Sequence, residues 1–137
     1  MAPVKKRPRK KRKKRGHYQR GEYTSTKTGQ VCKFRSGWEH KYMEWLDSNP
    51  EVHSWSYELI TIEYTSNKKT GKVRKYYPDF SVTYVDGTHK LIEIKPKRKL
   101  DQAVIVKKAA AAVEWCRTHG MTYEIVTEVQ LKQLGLL

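Results

Sequence analysis

Trp38, Tyr42, Trp45 and Leu46 recur at helical spacing, so the segment that begins near residue 36 predicts a helix with one apolar stripe. Ser36 stands where an N-cap belongs, and Glu39 completes the pattern S-G-W-E of a capping box. Asn49-Pro50 closes the helix. Residues 52–64 (VHSWSYELITIEY) alternate well enough to predict one strand with a bent start, and SNKKTG at 66–71 predicts a turn. Residues 72–85 (KVRKYYPDFSVTYV) predict a second strand, interrupted at Pro78. Asp86-Gly87 is a hairpin signal that leads into a short strand at 89–95, HKLIEIK, with Leu91, Ile92 and Ile94 as its apolar content.

Residues 101–119 give the clearest helix, with apolar residues at 103–106, 109–113 and 115 and a stop at His119-Gly120. Residues 122–126 (TYEIV) predict a last strand, which a crossover through that helix places parallel in the sheet. Residues 127–137 predict a short helix capped by Thr127, with Val129, Leu131 and Leu134 available to pack. The order implies an α/β fold: a mixed sheet with helices against it, whose antiparallel hairpin at 72–95 carries most of the chemically interesting charges.

Residues 16–33, rich in Gly, Ser, Thr and Lys, read as a loop or a lightly structured arm. Ahead of them the charge changes the picture. Residues 1–15 hold ten basic residues and no acidic one, within a chain of 137 residues and formal net charge +15. Such a run repels itself and has almost nothing to bury, so the expected organisation is a disordered basic arm and loop over 1–33 and one folded domain over 34–137. The natural partner of the arm is a polyanion, bound with a steep salt dependence. A solubilising arm, a localisation signal or a contact with structural RNA are the other readings of the same charges.

Cys32 and Cys116 lie far apart with no zinc-ligand pattern beside them, which predicts two buried thiols in a reducing compartment. With no long apolar run, no signal peptide and no amphipathic stretch after the arm, the expectation is a soluble intracellular protein without a membrane partner.

Glu93 and Lys95 are two apart on a strand and share a face, while Ile92 and Ile94 take the other and mark it as core. Asp79 follows Pro78, a break that re-aims its carboxylate, and the turn at Asp86-Gly87 brings Asp79 back toward Glu93. Two carboxylates on one face repel unless a cation lies between them. Mg²⁺ suits the pair, because it takes few carboxylates and keeps water and substrate phosphate; Mn²⁺ can substitute, and the Ile94 carbonyl is a further oxygen ligand. Lys95 is then placed to orient or help deprotonate an attacking water. The plainer reading is an edge hairpin with solvated charges. Glu39 has two readings as well, reaching the sheet edge as a further acid or simply capping Ser36.

These residues resemble the PD-(D/E)xK nuclease superfamily, with Pro78-Asp79 as the PD and Glu93-Ile94-Lys95 as the ExK. The resemblance runs over about residues 34–126. It is nearest to the endonuclease subunit of a bacterial cut-and-paste transposon and to phage head-completion nucleases, through residues 34–39 (FRSGWE), 76–80 (YYPDF) and 91–96 (LIEIKP). It implies a restriction-endonuclease-like sheet, Asp79 and Glu93 as metal ligands, Glu39 as the helical acid that supports them and Lys95 as the catalytic lysine. It also implies a Mg-activated water cleaving DNA to leave a 5′-phosphate and a 3′-hydroxyl. The transposon protein has a further domain that this chain lacks and can carry an amide at the Glu93 position, so a phage enzyme acting at DNA ends is the better fit. That resemblance implies the host cytoplasm or the virion as its location and head or portal proteins as partners.

Lys97, Arg98, Lys99, Lys107 and Lys108 follow the acid strand and are candidates for the backbone of double-stranded or branched DNA. Gln102 is a weaker candidate for phosphate or water. Of Glu58 and Glu63, at opposite parity on one strand, only one can face the site, and Glu58 is favoured. One of Tyr76 and Tyr77 is expected to line the DNA groove. The five histidines show no ligand spacing, and Trp38, Trp45, Trp55 and Trp115 are core candidates. A double-strand cut needs two copies, such as a homodimer, or two encounters. The alternatives to a nuclease are a non-catalytic nucleic-acid binder or virion structural protein, and a ribosomal-type RNA binder.

Overall fold

Two breaks in long extended runs decide the architecture, one at residues 58–61 and one at 77–79. In the computed structural model, which describes residues 20–137, the elements are β1 (Gly21–Thr24), β2 (Val31–Phe34), α1 (Gly37–Ser48), β3 (Val52–Tyr57), β4 (Ile62–Asn67), β5 (Lys72–Tyr76), β6 (Phe80–Tyr84), β7 (His89–Ile94), α2 (Ala103–Thr118), β8 (Thr122–Val126) and α3 (Glu128–Gln133). A 3₁₀ turn spans Lys97–Lys99. The central sheet has the order β3-β6-β7-β8, antiparallel except for the parallel β7–β8 pair that the crossover through α2 creates. β1–β2 and β4–β5 are separate two-stranded sheets. The result is a mixed α/β fold of restriction-endonuclease-like architecture.

β7 is buried on both faces, as a strand covered by helices should be. Ile92 and Ile94 face one core, with Tyr42, Met43 and Leu46 of α1, Trp55 of β3, Phe80 and Val82 of β6, and Leu131 of α3. Leu91 faces the other, with Ile62 and Tyr64 of β4, Tyr76 of β5, and Ala112 and Cys116 of α2. Phe80 is fully buried at the heart of the first core and packs against the rings of Tyr42, Trp55 and Tyr57. Truncating such a side chain to Ala costs about 3–5 kcal/mol.

Several expectations are corrected. Residues 52–64 are two strands in two different sheets, because the chain turns at Glu58, which takes a left-handed φ of 50°. The acid-bearing hairpin is only β6–β7; β5, expected to belong to it, pairs with β4 instead. Pro78 cannot donate to a ladder, so the run that contains it serves two sheets rather than one.

The stretch 16–33, expected as a loop or a lightly structured arm, contains β1 and most of β2, and β2 buries Cys32 and Phe34 in the first core. This hairpin is fastened by Asp47 of α1, whose carboxylate accepts from Tyr23 Oη, Ser25 Oγ, the Thr26 amide and Trp55 Nε1. Lys27 adds bonds to the Asn49 and Val52 carbonyls. On α1, Met43 is fully buried, while Trp38 and Trp45 are only partly so. Leu131 packs from α3, whereas Val129 and Leu134 stay exposed. Both cysteines are free and buried. The basic run 1–15 lies outside the described residues, and among those described no helix is long and apolar enough to cross a membrane.

Candidate active site

The site forms where β6 departs from β7. The last ladder pair before the break is Phe80↔Ile92, so Asp79 and Glu93 follow as the next opposed residues. Alternate strand amides point to opposite neighbours. The Lys95 amide goes to β8, bonding the Val126 carbonyl, and the Ile94 amide therefore faces the side that β6 has vacated. Asp79 Oδ2 takes it, at 2.8 Å. In return Glu93 Oε2 accepts the Asp79 amide at 3.3 Å. Each acid is held by the other strand's backbone, and the two carboxylates replace the ladder that Pro78 ends.

Asp79 is 9% exposed and Glu93 8%. Burial, then the Glu93 and Glu39 carboxylates, push the Asp79 pKa well above the usual carboxylate range. Burial also raises that of Glu93, opposed by the Tyr76 hydroxyl, the Lys95 ammonium, the Asp79 amide and Lys108. Tyr76 Oη donates to Glu93 Oε2 at 2.6 Å, and Tyr123 Oη lies 2.9 Å from Tyr76 Oη. Since Tyr76 has spent its proton on the carboxylate, Tyr123 donates to Tyr76. Lys95 Nζ lies 3.9 Å from Glu93 Oε1, on the face that the two-residue spacing predicts.

Glu39 lies on the buried side of α1 with Tyr42, Met43 and Leu46. The Ser36 hydroxyl caps the helix by accepting the Glu39 amide. The Glu39 carboxylate accepts from the Tyr57 hydroxyl and from Ser36 Oγ. Capping is thus done by the serine, and the acid reaches toward the sheet.

Asp79, Glu93, Ile94, Lys95 and Glu39 all line one cleft of about 300 Å³, together with Arg35, Glu58, Lys75, Tyr76, Tyr77 and Lys108. A larger groove of about 790 Å³, walled by β1–β2, adjoins it through Arg35 and Glu58. Glu58 pairs with Arg35 at 2.8 Å, and its amide bonds the Asp79 carbonyl. Glu63 does not line the cleft; it stands opposite Lys75 on the β4–β5 pair. Tyr76 is buried and bonded to Glu93, whereas Tyr77 is exposed.

The cations divide. Lys108 is in the cleft, 5.4 Å over the Tyr76 ring. Lys107 is tied to the Ser66 carbonyl. Lys97 and Arg98 line a separate hollow with Glu128, as part of the exposed turn that ends in Lys99. Gln102, expected inside α2, precedes it as an exposed N-cap residue without a capping bond. No histidine among the described residues lines the cleft. Sequence reasoning missed Arg35, Lys75, Tyr57 and Tyr123. Arg35 directly precedes the Ser36 cap and Lys75 adjoins Tyr76, but nothing local marks either.

The donor set is all oxygen: two carboxylates under-supplied with positive charge, a third acid close enough to be felt electrostatically, and the Ile94 carbonyl on the vacated side. Hard divalent cations prefer such donors, and Mg²⁺ needs only one or two carboxylates from the protein. No group of three or more His, Cys, Asp or Glu among the described residues is gathered into a ready-made metal cage. A fit therefore rests on Asp79, Glu93 and the Ile94 carbonyl, with water and phosphate as the remaining ligands.

Fold and cleft together define an α/β protein of restriction-endonuclease-like architecture with a paired-acid site at the sheet break. The chain belongs to the TnsA-like endonuclease N-terminal family, whose model matches residues 49–128 and so spans Asp79, Glu93 and Lys95 but not Glu39. It is also 32% identical to the head completion nuclease of Enterobacteria phage T4, over 124 residues that cover 74% of this chain and 82% of the phage protein. Both relationships agree with the resemblance to PD-(D/E)xK nucleases.

Proposed function

We propose that this chain is a Mg²⁺-dependent DNA endonuclease, with Asp79 and Glu93 as metal ligands, the Ile94 carbonyl as a third donor and Glu39 as the supporting acid. One observation carries the reading: a chain of an endonuclease family buries two adjacent carboxylates at the wall of an open cleft, with the Lys95 ammonium 3.9 Å from one of them. A divalent ion there, Mg²⁺ or Mn²⁺, supplies charge neutralisation and makes water nucleophilic near neutral pH.

The chain's own groups do the rest. The backbone bonds to Asp79 and Glu93 fix both carboxylates before substrate arrives. Lys95 orients the attacking water and offsets negative charge on the phosphate. The water oxygen bonds to phosphorus as the bond to the 3′ oxygen breaks, and that oxygen leaves with a proton, giving a 5′-phosphate and a 3′-hydroxyl. Arg35, Lys75 and Lys108 at the cleft hold the DNA backbone beside the reacting group, and the basic arm with Lys97, Arg98, Lys99 and Lys107 adds more distant contacts.

The T4 relative, a head completion nuclease, supports a role for this chain at DNA ends in phage head completion. On that reading head or portal proteins are partners and a homodimer supplies the second cut.

The test is cleavage of supercoiled plasmid by the full chain with Mg²⁺, with EDTA, and with Mg²⁺ after Asp79→Ala. Nicked or linear product is expected in the first condition alone. Cleavage that persists in EDTA or in the variant overturns the mechanism. DNA that is bound but never cut makes the protein a binder.

A further inference from the structure

The β4–β5 hairpin has a charge that neither the core nor the acid site explains. Lys68 and Lys69 sit in its turn and Lys72, Arg74 and Lys75 on β5, against Glu63 as the one acid between residues 62 and 76. That local excess of four compares with an excess of five for the whole of residues 20–137. All five basic residues are exposed, and among the described residues none of their side chains forms a salt bridge.

The hairpin is firmly mounted. Ile62, Tyr64 and Tyr76 pack into the second core against α2, and Lys107 bonds the Ser66 carbonyl near the tip. Its base is the wall of the candidate active site, because Lys75 and Tyr76 line the cleft. At about 3.3 Å per residue, β5 and the turn carry cations on the order of 15 Å from that cleft. This is close to half a turn of duplex DNA, enough to reach phosphates beyond those next to a scissile bond.

We infer that the β4–β5 hairpin is a duplex-DNA clamp, which grips the phosphate backbone on one flank of the cut. The inference rests on the nuclease reading of the cleft and adds the form of the substrate. Proteins that hold single strands pair cations with exposed aromatic rings on which bases stack. From residue 62 to 76 this hairpin exposes cations without rings: Tyr64 and Tyr76 are both buried, and the exposed Tyr77 lies beyond its base, at the cleft. Its partner is therefore a phosphate surface with its bases already stacked inside.

The experiment compares the full chain with Lys68→Gln/Lys69→Gln, two turn residues remote from the cleft. A charge-matched control, Lys41→Gln/Lys132→Gln, alters exposed cations on α1 and α3. Binding of a duplex oligonucleotide and of one of its strands is followed by fluorescence anisotropy in EDTA over a salt series. For the duplex, the hairpin variant should bind about tenfold more weakly, and its slope of log affinity against log salt should fall by about two. The control and the single strand should change far less. Unchanged duplex affinity, an equal loss with the control pair, or an equal loss on the single strand overturns the clamp. Because no cleavage is needed, a failure of the nuclease reading would show separately, as wild-type protein that binds the duplex in this assay and never cuts it with Mg²⁺.

Discussion

Asp47 and Asp79 are the same side chain treated in opposite ways. Burial disfavours the charge on Asp47, but bonds from Tyr23, Ser25, Trp55 and the Thr26 amide outweigh it and bring its pKa to about 2. Those donors come from β1, the turn after it and β3, so one carboxylate fastens three parts of the chain to α1. Asp79 is more deeply buried, receives the Ile94 amide, and stands beside Glu93 and Glu39, so its pKa is raised instead. A carboxylate that serves the fold is saturated with donors; on the proposed reading, one kept under-supplied is held ready for a cation.

The sharpest way to break that contrast is to remove each acid in turn. Asp79→Ala should lower plasmid cleavage on the order of a thousandfold, since metal assistance supplies several kcal/mol and each 1.4 kcal/mol is a decade in rate. Its thermal transition should survive, as seen by circular dichroism. Asp47→Ala should do the reverse. Stranding the Trp55 indole and Ser25 hydroxyl should cost about 2–4 kcal/mol in urea unfolding. Cleavage per folded molecule should stay within a few fold. If the two variants exchange phenotypes, the division of labour is wrong.

The contrast also explains what the sequence could reveal. The approach of Asp79 to Glu93 was legible because Pro78, the Asp86-Gly87 turn and the two-residue strand period are local signals. α1, α2 and the parallel β8 were legible for the same reason. The separation of β3, β4, β5 and β6 into two sheets was not, since it depends on a left-handed φ at Glu58 that no neighbouring glycine announces. The β1–β2 hairpin was hidden because four-residue strands have little periodicity, and its anchor, Asp47, lies more than twenty residues away. Lys75 enters the cleft, and Tyr57 and Tyr123 reach Glu39 and Tyr76 behind it, from elements whose packing only the fold defines. Glu39 shows the limit most clearly: its place in a capping pattern was readable, but the Tyr57 hydroxyl that turns its carboxylate inward was not.

Tyr76 offers a finer cut. Tyr76→Phe keeps the ring that packs in the second core and deletes the proton given to Glu93. The Mg²⁺ concentration for half-maximal cleavage should rise about tenfold, the scale of lost support to a metal ligand, with the rate at saturating Mg²⁺ little changed. Tyr123→Phe, one bond further out, should move it less. An equal loss of rate at all Mg²⁺ concentrations would make Tyr76 something other than a positioning residue.

The smallest expected effect tests the electrostatics directly. Asp79→Asn keeps an oxygen for the Ile94 amide and removes the charge that Glu93 and Glu39 oppose. In EDTA near neutral pH it should be more stable than the wild type by about 1 kcal/mol, since an uncompensated buried charge has gone. The pH dependence fixes the sign. Raised folded pKa values at Asp79 and Glu93 mean that folding takes up protons, so their share of stability falls as pH rises from the ordinary carboxylate range through the raised values. Asp47 has a lowered value, so its share is present above the ordinary range and is lost as pH falls toward about 2. The advantage of Asp79→Asn should therefore shrink as pH falls and the wild-type carboxyl takes a proton, and Mg²⁺ should erase it at neutral pH by stabilising the wild type alone. A variant less stable than the wild type in EDTA at neutral pH would mean that Asp79, like Asp47, is there to hold the fold.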